Sequence, residues 1–275
     1  VNRAALPAIF NPEDLNALEE ALAVRDAHGG TVTVVTMGPP AACDLLRESL
    51  SRGADRGILI TDRRAAASDT LATSYILSCA ARKLDADIVL CGRQAIDGDT
   101  APVGPQMAEK LGVPVVTYLE EIISLEGKSA KMRRNVGNGW EVVSCPLPLL
   151  ATVVESANAP RPKAARRMMK YKKARAEMEV AKEIAASMPD ASDDERTAKV
   201  HERCEILKGK GMFIEAWTLD DIDADLAWCG VDGSPTKVHR IQSVVLSGGE
   251  YHEYQPTEES IAELVGSLIE DHTIG

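Results

Sequence analysis

The segment best equipped for chemistry runs from Cys91 to Pro105 and reads CGRQAIDGDTAPVGP. Its glycines, Gly92, Gly98 and Gly104, let backbone approach a ligand, and Thr100 supplies a hydroxyl. A helix beginning near Pro102 would add free N–H groups and the positive end of its dipole. Together these make a phosphate cradle that lacks the lysine of a P-loop. Asp97 and Asp99 have the wrong sign for an anion site, so their side chains are expected to cap the helix or accept from a ribose while the backbone faces the phosphate. A well-capped strand-to-helix loop with no ligand accounts for the same residues.

Two other loops carry glycines and hydroxyls: Met37-Gly38-Pro39-Pro40, and Thr61-Asp62-Arg63 running on to Ser68 through Ser74. With the first loop they would enclose a nucleotide-sized crevice. Nothing in it resembles a catalytic constellation. His28 sits at a helix end, where a solvated or capping role is expected, and neither Ser68 nor Ser74 has a base in sight or lies in a GxSxG elbow.

The elements that position these loops follow from the pattern of apolar runs. Thr31 to Thr36, Ile58 to Ile60, Ile88 to Leu90 and Val115 to Tyr118 are β-rich and recur at about 30 residues. Helix-length segments separate them. Asn11-Pro12-Glu13-Asp14 opens the first helix with a cap, a proline and early acids, and Gly29-Gly30 stops it. Ala41 to Arg52 and Asp69 to Leu84 form the next two, the latter capped by Asp69 or Thr70. Strand, helix and strand at this spacing mean βαβ units, hence an α/β fold with a doubly wound, mostly parallel, Rossmann-like sheet whose ligands lie beyond the C-terminal strand ends. From Leu119 the texture changes to a hairpin with its bend at Gly137-Asn138-Gly139, followed by a strand from Leu149 to Val154.

Composition narrows the function. A net charge of −11 argues against a nucleic-acid binder or a surface that docks on anionic lipid. No apolar run approaches the roughly 18 to 20 residues that span a bilayer, and no signal peptide is evident, so a cytoplasmic protein without membrane insertion is expected. The 6 cysteines lack a metal or cluster spacing, which predicts no metal site. Residues 1–160 read as the nucleotide-binding domain and 161–275 as a C-terminal arm. Within that arm, Lys163 to Arg175 places 7 cations in 13 residues of an otherwise acidic chain. Residues 174–208 read as charged helix broken at Ser187-Met188-Pro189-Asp190, and Glu258 to Glu270 as a final amphipathic helix capped by Thr257.

At this point a resemblance is evident. CGRQAIDGDTAPVGPQMAEKLG at 91–112 is similar to the most characteristic segment of electron-transfer flavoprotein beta subunits. NPEDLNALEEAL, VTMGPPAA, RGADRGILITDR, SDTLATSY and PLPLLATV match in the same order, and IEAWTLDDI and GSPTKV resume the match after residue 212. Several ordered segments are far more specific than a lone glycine motif. The resemblance implies a heterodimer with an alpha subunit that carries a redox FAD, and an adenine nucleotide in the crevice described above. Simple members hold AMP there; electron-bifurcating members hold a second FAD and oxidise NADH, and SDTLATSY with VTMGPPAA favours FAD. The chain would then be an electron-carrier subunit, with oxidoreductase activity of its own only if it bifurcates.

Carried over by position, Asn11, Asp14, Met37 and Gly38 would line the adenosine. Gly92, Gln94, Ala95, Asp97, Gly98, Asp99, Thr100, Ala101, Val103 and Gly104 would wrap ribose and phosphates. Asp69, Thr70 and Thr73 would extend the pocket towards a flavin or nicotinamide. Arg133 and Arg134 resemble the stretch that reaches the alpha-subunit flavin, although a surface ion pair explains them equally. The basic segment 160–173 resembles one that docks an acyl-CoA or other flavin dehydrogenase, with Ala165 at the position of an apolar anchor and Met168 and Met169 beside it. A solvated basic helix is the other explanation. A ferredoxin or iron–sulfur protein is a further expected partner of the bifurcating type.

The match departs in three places. The family begins with a further strand and loop ahead of the part resembling Val1 to Pro12, a strand that would lie centrally and touch the adenosine. Asn135 stands where an acid often follows the arginine. Residues 174–211 form an insertion expected to fold as a helical pair covering a partner-specific surface, and a tail contacting the alpha subunit follows. Two other functions stay open: an AMP-binding subunit that only shuttles electrons, and an ATP-binding signalling domain of the same fold with no redox role.

Overall fold

The structure is a computed structural model that describes residues 8–236 and 253–270. The described residues fall into two compact units, 8–236 and 253–270. In chain order the first unit contains α1 (Pro12–His28), β1 (Thr33–Met37), α2 (Cys43–Arg52), β2 (Arg56–Ile60), α3 (Thr70–Leu84), β3 (Ile88–Gly92), α4 (Val103–Leu111), β4 (Val115–Glu126), β5 (Ser129–Asn135), β6 (Trp140–Pro146) and β7 (Leu149–Val153). It continues with α5 (Ala165–Tyr171), β8 (Arg175–Ala176), α6 (Glu177–Ser187), α7 (Asp193–Gly209) and β9 (Phe213–Trp217); the second unit holds α8 (Glu258–Glu270). Lys237 and Val238 of GSPTKV, with the rest of 237–252 and 271–275 in the expected alpha-contacting tail, lie outside the described residues.

The α/β class and the parallel pairing are as expected, but the strands form two sheets in place of one. The first has the order β1-β2-β9-β8 and is parallel throughout. The second, β3-β7-β4-β5-β6, is parallel from β3 to β4 and antiparallel beyond. Among the described residues β1 and β3 are therefore sheet edges. Although TVVTM and IVLCG are apolar enough for central strands, every residue in both is only half-buried, while β7 is buried along its length. Strands β8 and β9 come from the part of the sequence read as an arm, yet they extend the first sheet through Leu59 to Ala216 and neighbouring pairs.

The core divides with the sheets. Leu18, Leu22, Leu46, Leu50 and Leu59 pack with Ile214 between α1, α2 and the first sheet. Leu119, Met132, Leu149 and Val153 with Ala17 form the core under the second. Helices α6 and α7 pair through Val180, Ile184, Cys204 and Leu207, in keeping with the expected break at Met188-Pro189. Helix α7 begins with a capping box, Ser192 and Glu195. Thr257 caps α8 through Ser260 N–H at 3.3 Å. Among the described residues no helix is long and apolar enough to cross a membrane.

Candidate functional site

The loop after β3 is held by the first turn of α1. Asp14 Oδ1 accepts the Gly92 N–H at 2.6 Å, and Glu13 accepts the Gln94 N–H at 2.9 Å and the Arg93 Nε at 3.0 Å. Asn11 donates through Nδ2 to Gln94 O at 2.9 Å and to Asp14 Oδ2 at 3.0 Å. Helix and loop approach so closely that a methyl on Gly92 would sit 2.8 Å from Asp14 N. Asn11 makes no side-chain cap; its Oδ1 is buried without a donor. Sequence reasoning misses Glu13 as part of this site. An acid in a first turn is ordinarily read as a partner of the helix dipole, and only the tertiary fold brings Gln94 to it.

Beyond Gln94 the loop closes on itself through Ala95 N–H to Thr100 O at 3.0 Å. Asp99 has a left-handed backbone with φ of 51° and accepts from the Gln94 side chain. The expected capping by Asp97 or Asp99 is not found, because Pro102 precedes α4 with no side-chain cap and the Asp99 carboxylate is taken by Gln94. The N–H groups of Ala101, Val103 and Gly104 find no acceptor among the described residues, and neither does the Thr100 hydroxyl. Gly104 brings α4 down onto the sheet: a Cβ there would lie 2.7 Å from Thr152 Cγ2 and 3.0 Å from Cys91 Sγ. Burial pushes the Cys91 thiol up to about 12, so it stays an inert protonated spacer under the loop. Gln106 Oε1 is a second buried acceptor without a partner.

These features fit a nucleotide. Free N–H groups and a helix N-terminus suit phosphate. The carboxylates of Glu13, Asp14 and Asp99 are engaged in holding the loop, and two orphaned buried acceptors suit donors such as an adenine amino group or a ribose hydroxyl.

The other predicted residues lie at the end of β1 and the start of α3, and among the described residues no hydrogen bond joins them to the 92–104 loop. Gly38 follows β1 and donates to Ile60 O at 3.0 Å, with Met37 half-buried beside it. Asp69 caps α3 through Ala72 N–H at 3.0 Å. Burial raises its pKa, but the N–H groups of Ala72, Thr236 and Leu71 outweigh that and hold it below the usual value. Asp69 is thus a structural anion, while the Thr70 and Thr73 hydroxyls are half-buried with no hydrogen bond among the described residues.

Arg133 and Arg134 are both ion-paired. Arg133 meets Glu120 at 3.3 Å and Glu121 at 2.8 Å, and Arg134 meets Glu141 at 3.3 Å. Arg134 Nε is buried and has no partner among the described residues. Asn135 donates to the same Glu120 at 3.0 Å. In the basic segment, Arg161 is tied to Glu19 at 2.8 Å and Asp26 at 2.9 Å, and Lys163 to Glu48 at 3.3 Å. Helix α5 then presents Ala165, Met168 and Met169, the last two 42% and 60% exposed. Met168 and Met169 border a groove of about 1070 Å³ against α2 and α6, in which Met178 and Lys182 come from α6. No group of three or more His, Cys, Asp or Glu side chains among the described residues could hold a metal.

Comparison with known proteins gives the family. The electron transfer flavoprotein domain matches residues 1–185. The electron transfer flavoprotein subunit beta of Clostridium acetobutylicum is 41% identical over 273 residues, covering 99% of this chain and 90% of that protein. Protein FixA of Azorhizobium caulinodans is 38% identical over 277 residues, 96% of this chain and 85% of that protein. The caffeyl-CoA reductase-Etf complex subunit CarD of Acetobacterium woodii is 38% identical over 275 residues, 99% and 90%. By a domain match over more than half its length and relatives along nearly all of it, the chain belongs to the electron transfer flavoprotein family, among its beta subunits.

Proposed function

We propose that this subunit binds an adenine nucleotide, FAD in preference to AMP, and works in the cytoplasm with an alpha subunit that carries the other flavin. The observation that carries the reading is the loop from Gly92 to Gly104, which among the described residues has three free N–H groups and a free hydroxyl at or just before the start of α4 and two orphaned acceptors beside it. The N–H groups of Ala101, Val103 and Gly104 would hold the phosphates, and Asn11 and Gln106 would meet adenosine. Thr70 and Thr73 favour the longer ligand, because two unpartnered hydroxyls three residues apart on one helix face extend the donor set past an AMP. A bound flavin would supply one- and two-electron chemistry, with NADH as a hydride source in the bifurcating case.

The protein's own part is to orient and exclude water. Glu13 and Asp14 pin the loop, Gly104 seats α4, and Arg134, whose Nε is buried without a partner among the described residues, would answer an anionic flavin of the alpha subunit. Met168 and Met169, on a groove of mixed charge that also holds Lys172 and Lys182, suit transient docking of a flavin dehydrogenase, and a low-potential iron–sulfur acceptor such as ferredoxin would complete bifurcation. The name of the Acetobacterium woodii relative, a subunit of a caffeyl-CoA reductase complex, is in keeping with a partner that handles CoA thioesters. The test is Thr100→Val in the purified heterodimer: retention of the nucleotide is expected to fall, and unchanged content would remove Thr100 from the site.

A further inference from the structure

A segment far down the chain is fastened to the loop after β2, and its meaning rests on the proposal that this loop and the start of α3 belong to the nucleotide crevice. Gly230 donates its N–H to Ser68 Oγ at 3.1 Å, and Ser68 in turn donates to Ala65 O at 2.8 Å. Ser234, 4% exposed, accepts the Asp69 N–H at 2.9 Å and donates to Gly230 O at 2.6 Å. Thr236 N–H reaches Asp69 Oδ2 at 3.0 Å, while Asp69 Oδ1 takes the Ala72 N–H at 3.0 Å. No side chain fits at either glycine of this segment. A Cβ on Gly230, whose φ is 61°, would lie 2.2 Å from Arg64 O, and one on Gly233 would lie 2.1 Å from Trp228 C.

Asp69 is thereby held at its N–H by Ser234 and at its two carboxylate oxygens by Thr236 and by α3 itself. Next along the chain come Thr70 and then Thr73, the two hydroxyls without partners among the described residues. We infer that residues 230–236 are a clamp on the crevice and that Ser234 is a positioning residue, fixing Asp69 and through it the two threonine hydroxyls. Binding of the ligand and closure of the clamp must then favour each other, since linkage is reciprocal. Removing the Ser234 hydroxyl would leave the Asp69 N–H and Gly230 O unpaired in a buried place and free the start of α3 to move.

The test uses the heterodimer with its alpha partner, stripped of nucleotide and titrated with FAD and with AMP while amide exchange is followed over residues 62–76 and 228–236. Ser234→Ala is expected to weaken the preferred nucleotide by about five- to tenfold. In the wild type, nucleotide should slow exchange at Thr236; in Ser234→Ala it should not, a readout that a merely structural hydroxyl would not move. Thr236→Pro deletes an exposed N–H and should show a smaller loss of the same kind, which keeps the test open if Ser234→Ala fails to fold. Ser78→Ala removes a fully buried hydroxyl from α3, one that donates to Tyr75 O at 2.7 Å, and should leave affinity unchanged. Wild-type affinity in both Ser234→Ala and Thr236→Pro would overturn the clamp and leave the crevice standing. An equal loss in Ser78→Ala would reduce the effect to general loosening of the helix and overturn it too. A wild type that binds neither FAD nor AMP would overturn the crevice reading, and the clamp's role with it.

Discussion

Gly104 gives the sharpest test of how the cradle is built. A methyl there would stand 2.7 Å from Thr152 Cγ2 and 3.0 Å from Cys91 Sγ, both below normal contact, with Leu150 Cδ2 at 3.6 Å. These neighbours belong to β3 and β7 in a packed core, so relief requires α4 to lift from the sheet. Overpacking of this sort costs about 1 to 3 kcal/mol. Alanine recovers up to about 1 kcal/mol of helix propensity. With that recovery subtracted, Gly104→Ala should lose up to about 2 kcal/mol in urea unfolding followed by circular dichroism. The nearest clash can be removed separately. Thr152→Ser deletes Cγ2 but keeps the Oγ that accepts the Tyr118 N–H at 3.2 Å, and should cost about 1 kcal/mol for the lost methyl. Combined, the two changes should cost at least about 1 kcal/mol less than their sum, because the serine makes the room that the alanine needs. Nucleotide retention should fall in Gly104→Ala and recover in part in the double variant. Additive costs, or full retention in Gly104→Ala, would refute the idea that contact with Thr152 sets the height of α4.

The same contacts give other outcomes. Asp14→Asn weakens the 2.6 Å bond to Gly92 and sets two amide groups against each other at Asn11, so about 1 to 3 kcal/mol of stability should be lost, with faster exchange of the Gly92 amide as the check. The Arg64 hydrogen bond holds the Asp62 carboxyl down at about 2, against an ordinary 3.8. A depressed pKa stabilises the fold above the ordinary value and loses that effect as pH falls towards 2, so the stability gap between wild type and Asp62→Asn should be full above about pH 4 and close below it. Met169→Glu should slow electron transfer with a flavin dehydrogenase about tenfold at unchanged flavin content, as expected for loss of an exposed apolar contact at the centre of a docking surface.

How much of this was legible in the sequence depends on whether the signal was local. The β-rich runs, the Gly29 stop, the hairpin at Gly137 and the stripe of α8 are written in neighbouring residues, and apart from β4 those elements stand within a few positions of where those residues put them. Strand β4 runs on to Glu126 because Glu120, Glu121 and Glu126 pair or face solvent at the hairpin, a pattern that charge alone disguises. Strand β9 pairs with β2 across more than 150 positions, and two-residue β8 has no periodicity to read. In the site, the glycines and Thr100 marked the loop by type. Which acids serve it could not be read: Asp97 and Asp99 lie inside the loop yet do not cap it, while Glu13 and Asp14 reach it from a helix about 80 residues away. Ser234 and Gly230 were invisible for the same reason, since nothing in GSPTKV by itself points to Asp69.

The central claim is that this subunit carries an adenine nucleotide of its own, and it is tested most directly by acid precipitation of the purified heterodimer followed by chromatography of what is released. The account predicts one adenine nucleotide per heterodimer beyond the FAD of the alpha partner, and predicts that it is FAD, with AMP marking the simple electron-shuttling type. Release of the alpha partner's FAD and nothing more would contradict it.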